Sequence, residues 1–108
     1  MTQVKEIALF LRTNYPGFGV LPLDQLEDYA DRYSDLCNIH RDAGGGINGV
    51  IFWQEWPDRF VSPLACTKPG LTRWLLCVAR SRALEKKVCW WDEKRHRLKV
   101  VTCRLYRQ

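Results

Sequence analysis

Lys94, Arg95, Arg97 and Lys99 crowd into six consecutive positions, shortly after Trp90 and Trp91. Cationic side chains neutralise phosphates and an indole ring stacks on any base, so this combination suits a single-stranded nucleic acid. Strand alternation sends one of the two tryptophans outward, and Trp91, nearer the basic run, is the candidate for stacking. The same charges also suit a solvated hairpin tip that protects a sheet edge. A second candidate is Thr67-Lys68-Pro69-Gly70-Leu71-Thr72-Arg73. It falls between an expected strand and an expected helix. Free backbone N–H groups at a helix start, with Lys68, Gly70 and Arg73 around them, suit a phosphate or pyrophosphate. An ordinary strand-to-helix turn has the same composition.

Nucleophilic and metal chemistry find less support. The histidines are His40 and His96. His40 follows Cys37 by three residues, the spacing of a base beside a thiol on one helix face. Cys37, however, falls on an apolar stripe where a thiol is inert, and His40 reads better as a helix C-terminal cap. Cys37, His40 and Asp42 have no second cluster of ligands, so no metal centre is expected. The five cysteines are odd in number and form no closely spaced pair. They are expected to be reduced and mostly buried.

Several elements must position these residues. Apolar spacing predicts a short helix near the start, capped by Thr2 and ended by Tyr15-Pro16-Gly17. A second helix is predicted from an Asp24 cap, with Leu26, Tyr29, Ala30, Tyr33 and Cys37 on one face and Glu27, Asp28, Asp31 and Asp35 on the others. Gly44, Gly46 and Gly49 match a G-x-G-x-x-G pattern. A helix before and a strand after are the wrong context for a dinucleotide, so a flexible connector is expected. Strands are predicted over residues 50–56 and 59–66, with Pro63 marking an edge or bulge. A third helix follows over about 71–86, with Leu71, Trp74, Leu75, Val78 and Ala79 inward. Strands over 88–91 and 98–106 complete an α-α-β-β-α-β-β order. The fold class is α+β: helices on a largely antiparallel sheet of about four strands.

At 108 residues the chain suits one domain. Residues 1–66 carry five basic and nine acidic side chains, a net charge of −4, and residues 67–108 carry twelve basic and three acidic, a net of +9. An anionic partner, either nucleic acid or an acidic protein surface, is expected at the basic third. Neither a targeting segment nor an apolar run of membrane-spanning length is evident, which points to a cytoplasmic protein without a membrane partner.

The order of elements and the residues at 67–73 and 88–91 resemble the GNAT acyltransferase family, which includes small tailed-phage members. The resemblance implies that Lys68, Gly70 and Arg73 lie at the acetyl-CoA pyrophosphate. It implies that the strand Val88-Cys89-Trp90-Trp91 splays to admit the pantetheine arm. Tyr106 and Glu55 are the acid–base groups available to it. The protein is then an acyltransferase or a non-catalytic relative; the competing reading is a basic regulatory module for nucleic acid.

Overall fold

The computed structural model describes residues 2–92 and 95–101. Helix α1 (Gln3–Asn14) begins where the Thr2 hydroxyl accepts the Lys5 amide at 3.3 Å, and it buries Ile7, Ala8, Phe10 and Leu11. It stops before Pro16, and Gly17 takes a φ of 87° that an L side chain resists. Helix α2 (Leu23–Arg32) buries Leu26 and Ala30. Its cap position is Pro22 rather than the expected Asp24, which lies inside the first turn and accepts the Gln25 amide at 2.9 Å. Helix α3 (Thr72–Ala83) turns Trp74, Leu75, Val78 and Ala79 inward, as its periodicity predicts.

The largest correction concerns residues 33–41. The second helix ends at Arg32, a 3-10 turn occupies Ser34–Leu36, and strand β1 runs over Cys37–Arg41. Cys37 and His40 therefore lie on a strand, so neither the stripe argument nor the helix cap applies to them. The glycine segment connects β1 to β2 (Ile47–Phe52) as a hairpin turn. Asp42 Oδ1 accepts the Gly44 and Gly46 amides, each at 2.9 Å, and Gly45 has φ 88°.

The remaining strands are β3 (Gln54–Glu55), β4 (Arg59–Ser62), β5 (Ala65–Thr67), β6 (Lys87–Asp92) and β7 (Arg97–Val101). The expected single four-stranded sheet is instead two ladders, ordered β1-β2-β5 and β3-β4-β6-β7. Every pairing is antiparallel except β4 with β6. The chain reaches β6 from β4 through β5 and α3, which supplies the crossover that a parallel pair needs. The fold class remains α+β.

Apolar residues alternate along these strands and form two cores. Val50, Phe52, Leu64 and Cys66 meet Ile7, Phe10, Leu11 and Ala30 on the α1–α2 side. Ile51, Trp53, Phe60 and Val88 meet Ala79 on the α3 side. The sheets are thus sandwiched between helical layers. Gly49 lets α3 come close: a Cβ there would lie 2.9 Å from Thr67 and 3.0 Å from Leu71 side-chain carbons. A polar node ties β1 to α3. Asn38 Oδ1 accepts from Trp53 Nε1 at 3.0 Å and from Arg82 Nη2 at 3.2 Å, while the Arg82 guanidinium lies over the Trp53 and Phe60 rings.

Burial has consequences for pH. It pushes the Cys66 thiol up to about 11 from 9.0 and, with smaller effects of Tyr33 and Tyr15, the Tyr29 phenol up to about 12 from 10.0. Both groups hold their protons more tightly folded than unfolded. Their contribution is complete below about pH 9 and is lost as pH rises through 11 and 12. Urea midpoints are expected to fall steadily from pH 8.5 to pH 10.5; a flat profile would mean that these groups are hydrated.

The cysteines divide. Cys66 and Cys89 are buried, Cys37 is half-buried and Cys77 is exposed, so burial is less general than expected; all four are free thiols. Cys103 lies outside the described residues. Among the described residues, no helix is long and apolar enough to cross a membrane.

Candidate cleft between diverging strands

Strands β4 and β6 run side by side for four residue pairs, from Arg59 opposite Lys87 to Ser62 opposite Trp90. Beyond that pair they separate, for a reason written in the hairpin on the other side of β4. Ile51 opposes Ala65 and Gln54 opposes Val61, so residues 52–53 face residues 62–64. The extra residue is a bulge, and a bulged strand bends. Pro63 sits within it, where the missing N–H costs no ladder bond. Two bonds to the Leu64 carbonyl hold the bend: the Phe52 amide donates at 3.0 Å and the buried Ser62 hydroxyl at 3.3 Å. Past the bend, β5 stays with β2, whereas β6 continues with β7 as far as Asp92 opposite Arg97.

The separation opens a cleft of about 720 Å³. Ser62, Pro63, Leu64 and Ala65 line one arm, and Trp90 and Trp91 line the other. Tyr15 and Pro16, at the end of α1, close one face, and Leu75 of α3 closes the other. The lining thus includes residues from α1 and α3, which lie on opposite faces of the sheet. The walls are largely apolar; the side chains with polar atoms among the lining residues are Tyr15, Ser62, Trp90 and Trp91. Strand edges that separate in this way offer amides to a thin extended guest, as a sheet edge does to an added strand.

A second cavity, of about 480 Å³, shares Tyr15, Pro63, Leu64 and Trp91 with the first and adds Phe18, Tyr29, Trp56 and Val61. It opens on the α1–α2 side. Burial pushes the Tyr29 phenol up to about 12, and none of the lining side chains is charged at neutral pH.

The residues expected to bind a cofactor lie next to this cleft without lining it. Lys68, Gly70 and Arg73 are exposed in the turn from β5 into α3, a few residues beyond Ala65. Gly70 has φ 93°, a backbone shape natural to glycine, and the Lys68 amide donates to the Asn48 carbonyl at 2.8 Å. Of the residues expected to meet nucleic acid, Arg95 and Arg97 are exposed. Lys94 and the Lys99 side chain lie outside the described residues. Trp91 is 38% exposed, and its ring forms part of both cavities and meets His96 edge-on at 6.4 Å. Trp90 is the inward partner, packed against the α3-side core. Glu55 lies at the far end of β4, opposite Phe60, and is bridged to Lys86 at 3.0 Å, away from the cleft. Tyr106 lies outside the described residues.

Sequence reasoning missed Tyr15, Ser62, Leu64, Ala65 and Leu75. Their only signal was Pro63, an awkward residue in an otherwise good strand. Among the described residues, no group of three or more His, Cys, Asp or Glu side chains could hold a metal ion.

No protein-family model, curated protein or solved structure matches this chain. A functional reading rests on the geometry of the cleft.

Proposed function

We propose that the protein is a GNAT-like acyl-coenzyme A binding domain whose cleft receives the pantetheine arm. The observation that carries this reading is a pair of parallel strands whose pairing ends at Ser62 and Trp90 beside an apolar-walled cleft. A pantetheine arm is thin, extended and carries two amides, so it matches an opening flanked by strand edges. The volume lies in the range of small-molecule sites, roughly 300–1,000 Å³.

The rest of the neighbourhood supports the same ligand. Lys68 and Arg73 flank the start of α3, beyond the β5 arm of the cleft, where the phosphates of the cofactor would find positive charge and helix N–H groups. The anionic partner expected of the basic third is then the nucleotide end of the cofactor. A bound acyl-coenzyme A supplies a thioester. Tyr15, whose hydroxyl is the titratable group among the described lining residues, is the candidate to protonate the departing thiolate.

Thermal unfolding with and without acetyl-CoA tests the reading. A ligand that binds only the folded state at a hundredfold excess over its dissociation constant stabilises by about 2.7 kcal/mol. Lys68→Glu should weaken that response by placing a repulsive charge at the phosphate end. Absence of any shift at millimolar acetyl-CoA would overturn the proposal.

A further inference from the structure

We propose that the second cavity selects an acyl acceptor built on an aromatic ring, with its amine directed at the wall shared by Tyr15 and Trp91; this rests on the acyl-coenzyme A reading of the neighbouring cleft.

Three observations carry it. The lining holds five aromatic rings, from Tyr15, Phe18, Tyr29, Trp56 and Trp91, and no side chain that is charged at neutral pH. A polyamine would bring several ammonium groups into a wall without a carboxylate, and desolvating unpaired charge is costly. An acceptor with one amine and a flat apolar body meets the wall on better terms. Its ring finds rings, and its single ammonium can face the π-cloud of Tyr15 or Trp91 before losing a proton.

The second observation is exposure. Trp56 and Trp91 are 39% and 38% exposed, although indole is among the costliest side chains to leave in water, and both line this cavity. A planar guest would cover both. Third, the rings are held in place. Tyr15 lies against Phe18 at a tilt of 41° with centroids 4.4 Å apart, and Tyr29 meets the buried Phe52 edge-on at 5.4 Å. A preformed wall spends little binding energy on ordering. The volume of about 480 Å³ admits a one- or two-ring molecule.

The shared wall connects this cavity to the cleft. In the transfer, the ammonium first releases a proton to solvent and the neutral amine nitrogen attacks the thioester carbonyl carbon. The C–N bond forms, the C–S bond breaks, and the proton that leaves the new amide nitrogen balances the one the thiolate gains, giving an amide and a free thiol.

Calorimetric titration with 2-phenylethylamine, n-butylamine and spermidine tests the inference, because the first two are monoamines that differ in carrying a phenyl or an ethyl group on the same two-carbon arm. The phenyl compound should bind about tenfold more tightly than either of the others, and Trp56→Ala should remove about that factor. Trp56 is partly exposed, so its truncation should leave the fold and the acetyl-CoA response intact. Comparable binding of n-butylamine or spermidine, no binding of 2-phenylethylamine, or an unaltered affinity in Trp56→Ala would overturn this inference while acetyl-CoA still stabilises the protein. A ring preference without any acetyl-CoA response would overturn the cofactor reading and, with it, the acceptor role.

Discussion

Trp53→Ala is expected to cost about 3–5 kcal/mol, enough to leave this chain largely unfolded if its total stability is near the low end of the usual range. Trp53 is 1% exposed and packs against Ile51, Phe60 and Val88 between the sheet and α3. Truncation removes the largest of the fully buried side chains and leaves a void that strands on one side and a helix on the other cannot collapse to fill. It also removes the Nε1 donor to Asn38 and one of the two rings beneath the Arg82 guanidinium. That cation would keep the Asn38 oxygen and the Phe60 ring but lose the indole that shields it. Trp53→Phe separates the contributions. It keeps most of the packing and loses the hydrogen bond, so its cost should be nearer 1–2 kcal/mol. Urea titration followed by circular dichroism measures both. A cost below about 1 kcal/mol for the alanine variant would mean that the α3-side core is not organised around this ring.

The same residues show what could and could not be anticipated from the chain. Helices α1 and α3 were legible because their apolar residues recur at three and four over a full face, and in α1 Thr2 and Pro16 mark the two ends. Strand β1 was not. The acidic helix carries no glycine or proline at its end, and Tyr33 and Cys37 continue its spacing, so nothing local announces the 3-10 turn at Ser34–Leu36. The strand is decided by tertiary partners: Cys37 opposite Phe52 and Ile39 opposite Val50 gain a sheet neighbour, and Asn38 gains Trp53 and Arg82. Once β1 exists, the glycine segment has to be a hairpin turn.

The cleft was half legible. Pro63 pointed to a bulge, and the one inward and one outward tryptophan followed from strand alternation. No local pattern brings residues 15, 62–65, 75 and 90–91 to one opening, because that depends on a parallel pairing across an intervening helix. For Trp91 the neighbouring basic run drew attention to stacking on a base. The structure turns its ring towards Tyr15 and Pro63.

Ala65→Trp should abolish stabilisation by acetyl-CoA while leaving the unliganded protein as stable as before. Ala65 is an exposed residue on β5, opposite Ile51, and its side chain faces the cleft rather than either core. An indole there adds bulk to the opening between the separated strands and requires no core rearrangement. Tryptophan is also well suited to a strand, so the backbone has no reason to object. In the proposed reading, by contrast, the pantetheine arm passes between Ala65 on one side and Trp90 and Trp91 on the other, and a large ring closes that passage. For the unaltered protein, about 2.7 kcal/mol of ligand stabilisation corresponds to a rise of roughly 10 °C in Tm for a chain of this size. The variant should show no rise, and Ala65→Ser, which adds one small hydroxyl, should keep most of it. The two halves of the cofactor give a further check. Pantetheine alone should lose its binding in Ala65→Trp, whereas 3′,5′-adenosine diphosphate should be affected by Lys68→Glu more than by the added indole. If Ala65→Trp retains the full acetyl-CoA response, the ligand does not pass between the strands. The bulge at Pro63 would then be a feature of how the hairpin bends, not of what it binds.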